Sequence, residues 1–471
     1  MRRSYRCFPL LLVSLLLFTA EAVAAQAVPT GWETDTDLAA KKAEYFALVK
    51  ANNVGSDQQG VDQFFDKYYF ARWTLPTGTG SVRGYAQELL AQDFKDLTGP
   101  AREYLLNKSL DSLRKMAADP NVTSTGRFNA IYTIGLLNQR DAPSGSAPPV
   151  PHPQALPYLI DEFGKKDENP DYIRLGALLG IQRFAVLGIA DVETRDVTLP
   201  ALLVRAIQEG KPAQNRGADE QELLDWFRHR VLEVLGALKA TGQRGEVVDL
   251  LLEIIESSQE TPDLRCFAAK TLADLNFQAA NTAGIQINYQ RLGTVLLSLG
   301  KTISDIELRR VDDTRNKERA KSGIGPPLPG MPEIDPDFVN LPPETQQEVT
   351  NAVQRIRTEF FDIMQGVRGV RPTGATTVGV LPMLASDDPV AEKLNKMTRA
   401  ISQLFDFLDK GSPDRPPPVT QQLLSSDMLG PASPRATAPP KPNAPVLKVN
   451  LLQIRDKLQE FSTTLDEIIA G

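Results

Sequence analysis

Leu264-Arg265-Cys266-Phe267-Ala268-Ala269-Lys270-Thr271-Leu272-Ala273 sets an arginine first, a small residue three positions on and a large apolar residue seven positions on. The same frame recurs at Arg127/Ala130/Ile134/Gly135, Arg174/Ala177/Ile181 and Arg228/Val231/Leu235/Gly236. Successive arginines are 47, 54 and 37 residues apart. Offsets of three and seven place these residues on one helical face. A recurrence of a few tens of residues is the spacing of stacked helix pairs, since one pair cannot bury its own apolar face. The small residues let helices approach closely, and Ile134, Ile181 and Leu272 fill the space between pairs. The expected fold class is all-α.

The stretch from Leu264, and next Ile173-Arg174-Leu175-Gly176-Ala177-Leu178-Leu179-Gly180, resemble the second helix of HEAT-like or armadillo-like repeats over residues ~100–300. The resemblance implies an irregular α-solenoid, with Gln182 standing where a small residue is usual. It also implies that the arginines pair with acids in nearby turns, for which Asp171 and Asp263 are the candidates. A solenoid is a surface for holding something and implies no chemistry of its own.

The rest of the chain reads outward from this core. Arg2, Arg3 and Arg6 precede an apolar run from Phe8 to Phe18, and Ala22-Val-Ala24 or Val23-Ala-Ala25 offers a small-residue cleavage site. Residues 1–25 therefore read as a secretory signal, too short in its apolar run for the ~20 residues of a spanning helix. Its removal takes away three Arg and one Glu and moves the formal charge from −7 to −9. An acidic chain without a long basic block is a poor nucleic-acid binder. The expectation is a periplasmic or extracellular protein.

A helical-repeat domain is expected over 36–320, beginning with the aromatic stripe Val61, Phe64, Phe65, Tyr68, Tyr69 and its neighbours Phe70 and Trp73. That stripe is either core or a platform for stacking sugars; helical spacing favours core. Thr302–Lys321, rich in charges of both signs, reads as a solvated extension. Residues 321–343 read as a Pro-rich linker, 344–410 as a small helical unit and 411–446, with ten prolines, as a disordered linker. The terminal helix within 447–471 carries Leu451, Ile454, Leu458, Phe461, Leu465 and Ile468 at near-heptad spacing. That stripe calls for a partner helix, from the same chain or from a second copy in a coiled coil.

No catalytic, metal or cofactor site emerges. His152 and His229 are the two histidines, and neither has a metal-ligand spacing. Gly300-Lys301-Thr302 lacks the glycine of a phosphate loop, which would fall at Val295, and Gly78-Thr-Gly80 with Gly84 misses the dinucleotide fingerprint by one residue. Cys266, alone after signal removal, sits in an apolar stretch as a buried thiol. Asp161/Glu162, Asp219/Glu220/Glu222 and Asp387/Asp388 are carboxylate groupings that a hydrolase needs, yet acids at helix starts ordinarily complement the helix dipole. Asn107-Lys-Ser109 and Asn121-Val-Thr123 are glycosylation sequons. The leading expectation is a non-catalytic scaffold binding a protein or peptide partner. The alternatives are an envelope-polymer hydrolase or lyase and a membrane-anchored structural tether.

Overall fold

A computed structural model describes residues 31–74, 84–95, 97–142, 148–209, 218–321, 343–369, 379–409 and 449–471. The signal segment, most of both Pro-rich stretches and the side chains of Asp219 and Glu220 lie outside them. The described residues are overwhelmingly helical, with one short antiparallel ribbon, β1 (Asn138–Arg140) and β2 (Val150–Pro151). The chain is all-α. It divides into two compact units, one up to Arg195 and one from Asp196 to Gly471.

In the first unit, α1 (Lys42–Lys50) and α2 (Gln58–Phe64) lead into a π-helical turn, Phe65–Tyr69. Phe64, Phe65, Tyr69, Phe70 and Trp73 are fully buried and meet edge-on or tilted at 5.0–6.2 Å between ring centroids. These aromatics are core, as their spacing implies. Two helix pairs follow: α3 (Gly99–Ala118) with α4 (Ser124–Leu136), and α5 (Ala155–Gly164) with α6 (Asp171–Leu187). Pro100 occupies the first turn of α3, and Thr123 caps α4 by accepting from the Gly126 N–H at 3.1 Å. The pairs pack through α4 against α5 and α6. There a Cβ added to Gly135 would lie 2.5 Å from the Gly180 Cα, so two backbones touch where side chains usually intervene.

The second unit repeats this construction. Its helices are α7 (Leu199–Glu209), α8 (Ala218–Leu238), α9 (Glu246–Glu256), α10 (Pro262–Asp274), the short α11 (Phe277–Thr282) and the long α12 (Tyr289–Lys321). After them come α13 (Pro343–Arg368), α14 (Pro389–Asp409) and α15 (Leu451–Ala470). Helices α7, α9 and α12 pack in succession, as do α8, α10 and α13, and the two rows pack on each other. Closest approach of α10 and α13 falls at Gly366, where a Cβ would lie 2.5 Å from the Ala269 carbonyl oxygen.

The charged end of α12 is solvated on one side only: Arg309, Asp313 and Lys317 are exposed, but the opposite side is covered. Glu307 and Val311 are buried and Arg315 and Arg319 nearly so, because α13 and α15 cover them. Arg355 of α13 clamps Glu307 at 2.7–3.0 Å, and Arg455 of α15 reaches Asp312 at 3.3 Å. Helices α13–α15 thus belong to the same compact unit as residues 196–321, rather than forming a body beyond a linker at 321–343. The stripe of α15, Leu451 to Ile468, is buried on α12 and α14, with Phe461 edge-on to Phe360 of α13 at 5.0 Å. Its apolar face is consumed within the chain, so of the two partners the stripe calls for, a helix of the same chain is the one seen. Lys301, in the failed phosphate-loop match, bonds Asp305 at 2.7 Å and Ser462 of α15 at 3.0 Å.

Three of the four repeat arginines, Arg127, Arg174 and Arg265, cap a helix end rather than relying on the turn pairing the resemblance implies. Nε of Arg127 donates to the Ala117 carbonyl at 2.8 Å, Arg174 to Phe163 at 3.2 Å and Arg265 to Ile255 at 2.8 Å. Each acceptor lies in the last turn of the preceding helix, whose final carbonyls have no partner within that helix. A cation there also complements the negative helix end. Asp171 stands 3.8 Å from Arg174 and is mostly exposed, while Asp263 turns to His229 rather than to Arg265. Arg265→Met keeps the bulk and removes this cap. It should lower the stability of the second unit by about 1.5–3 kcal/mol in urea unfolding, the range for a lost charged hydrogen bond; an unchanged midpoint would show the cap to be idle.

Candidate functional site

Helix α10 lays an interrupted stripe alongside α8 and α13: Asp263, Phe267, Lys270 and Asp274, at offsets of four, three and four. The other face of the helix is apolar and fully packed, which fixes this orientation. From α8, His229 Nε2 lies 3.1 Å from an Asp263 carboxylate oxygen, and its ring meets Phe267 at 4.9 Å. Lys270 Nζ sits 4.7 Å over the same Phe267 ring. From α13, Asp362 faces Lys270, Asp263, His229 and Asp274. Burial is the main reason that its carboxyl titrates at about 7, with Lys270 opposing the rise and Asp263 adding to it. Burial likewise lifts Asp274 to about 6, against the attraction of Lys270 and Lys239.

One turn earlier on α13, Glu359 is buried, with one oxygen 3.3 Å from Arg310 and the other unpartnered among the described residues. Burial first and the adjacent Glu307 second push its carboxyl well above the ordinary range. Glu307 takes the stronger share of the local cations, from Arg355 and Arg310. Below this cluster, Arg228 is completely buried and bonds Glu260 with two parallel contacts of 2.6 Å. Arg228 and Glu260, 32 residues apart, realise the arginine–turn acid pairing.

No protein-family model, curated protein or solved structure matches this chain.

The remaining sequence candidates are dispersed. Asp161 and Glu162 both grip Lys165, at 2.5 and 2.8 Å. Asp388 accepts from the Val390 N–H at 2.8 Å at the start of α14, the dipole-capping role. Two further carboxylates, Glu88 and Asp93, do lie beside the aromatic core, but Lys42 bridges them, and Arg72 and Tyr69 hold one each. With the neighbouring rings buried, they have no exposed platform on which a sugar would stack. His152 is buried, its charged form disfavoured by burial. Burial raises the Cys266 thiol well above its ordinary value, so it stays protonated and unreactive. Of the two sequons, Asn107 is exposed but Ser109 is buried in α3, whereas Asn121 is exposed in the turn before α4. Among the described residues no group of His, Cys, Asp and Glu has the arrangement of a metal site, and no helix is long and apolar enough to cross a membrane.

Asp362 and Glu359 escape a sequence reading because their environment comes from three other helices. On α13 alone they are two acids at the usual spacing of a polar stripe.

Proposed function

We propose that this protein is an exported, non-catalytic α-solenoid scaffold that binds a protein or peptide partner. The supporting observation is the repeated fastening: three arginines of the recurring frame cap the helix before them, as a series of equivalent pairs requires. In the second unit, the binding face is the one built by α8 and α10. Leu223 is 48% exposed there, Trp226, Phe227 and Phe267 are half-buried, and Asp263, Lys270 and Arg230 interleave charge with those rings. Partly exposed aromatics beside charged groups are the residue types that anchor protein interfaces. Residues 1–25, read as a secretory signal, support the exported placement.

Chemical crosslinking of the native protein in the envelope or secreted fraction, followed by mass spectrometry, tests this. One defined partner should crosslink to Lys270 on α10. Crosslinks confined to this chain's own residues across that fraction would contradict the reading.

A further inference from the structure

An ionised carboxylate taken out of water needs a partner, and without one it takes up a proton instead. Asp362 is 7% exposed, and it has neither a hydrogen bond nor an ion pair among the described residues. Glu359 is 2% exposed and leaves one oxygen unpartnered among the described residues, while the cation it contacts, Arg310, is shared with Glu307. Both acids lie on the face of α13 that packs on α10, a contact so close that a Cβ at Gly366 would lie 2.5 Å from the Ala269 carbonyl oxygen.

We propose that the α10–α13 contact is a proton-operated latch, closed while Glu359 and Asp362 are neutral and loosened when they ionise. The charged groups around it come from every packed neighbour. Glu359 faces Glu307 and Arg310 of α12, Arg355 of its own helix and Asp263 of α10. Asp362 faces Lys270, Asp263 and Asp274 of α10 and His229 of α8. Cys266, also between the helices, stays neutral and adds no compensating charge. Acidic and basic neighbours are equal in number around each acid, so no net local counter-charge offsets the desolvation of an ionised carboxylate.

The sign follows from linkage. An acid whose folded pKa is raised stabilises the fold fully below its unfolded pKa, near 4, and loses that contribution as pH rises through the folded value. For Asp362 the window runs from about 4 to about 7, and Glu359 extends it upward. Each such proton makes the folding constant fall about tenfold per pH unit inside the window. This device stands whether or not the chain binds a partner.

The test is amide hydrogen exchange of the full chain across about pH 5 to 8, corrected for intrinsic exchange. Protection of residues 352–367 should fall about tenfold or more per pH unit, while α4 and α6 of the first unit serve as a reference that does not. Asp362→Asn and Glu359→Gln, near-isosteric and always neutral, should each flatten the dependence by about one proton. A protonated-carboxyl infrared band in the native protein at about pH 6, absent at about pH 9, gives a readout that needs no variant. Protection that tracks the first unit at every pH, a slope unchanged in both variants, or the lack of that band would overturn the proposal.

Discussion

Glu260→Ala is expected to destabilise the unit from Asp196 to Gly471 by about 3–5 kcal/mol, the cost of leaving a buried charge without its counterion. Arg228 has no exposure at all, and its guanidinium bonds both Glu260 oxygens at 2.6 Å, with Asp225 only at 3.8 Å. Water cannot replace Glu260 without entering between α8 and α10. The double change Arg228→Met with Glu260→Leu removes both charges and should recover most of the loss, because desolvating the pair is itself costly. Urea unfolding followed by far-ultraviolet circular dichroism measures both. A single variant as stable as the parent would mean that the pair contributes nothing; a double variant no better than the single would assign the loss to packing.

Gly135→Val comes next in size. A Cβ at this position would stand 2.5 Å from the Gly180 Cα, and the obstacle is backbone rather than the end of a side chain. Accommodating a branched side chain means prising α4 from α6, and overpacking of this kind costs about 1–3 kcal/mol, at the top of that range where backbone must move. The first unit should lose about 3 kcal/mol, or fail to fold cooperatively, while the second unit keeps its own transition. Gly55→Ala is the control, since nothing lies within 4 Å of the added methyl. Equal midpoints for Gly135→Val and the parent would show that α4 and α6 have slack that their contact does not suggest.

The all-α class was legible because the apolar periodicity is strong in every segment that packs. Ala130, Ala268 and Gly135 announced close helix approach, and Gly135 meets Gly180 accordingly. Less visible was where charge goes. The end of α12 carries as many charges as a solvated helix would, yet its Glu307, Arg315 and Arg319 side is buried because α13 and α15, bringing Arg355 and Arg455, arrive from far along the chain. The repeat arginines were visible as a pattern, but the acceptors of Arg127, Arg174 and Arg265 are backbone carbonyls, which no sequence distinguishes. Asp263 adjoins Arg265 in sequence, yet side chains two apart on a helix point to different faces, which sends Asp263 to His229. The raised acids of α13 were illegible for the same reason: a carboxyl's pKa is decided by who covers it, and His229, Lys270 and Glu307 come from three other helices.

The proposed function has the chain presenting the α8–α10 face to a partner. A photoreactive phenylalanine analogue placed at Phe267 reads that face directly, with the same analogue at Asp249 of α9, exposed on the other row of helices, as the reference. Irradiation in the native envelope or secreted fraction should give one defined protein adduct from position 267 and none from position 249. Adducts of equal yield and identity from both positions, or none from position 267, would contradict the claim.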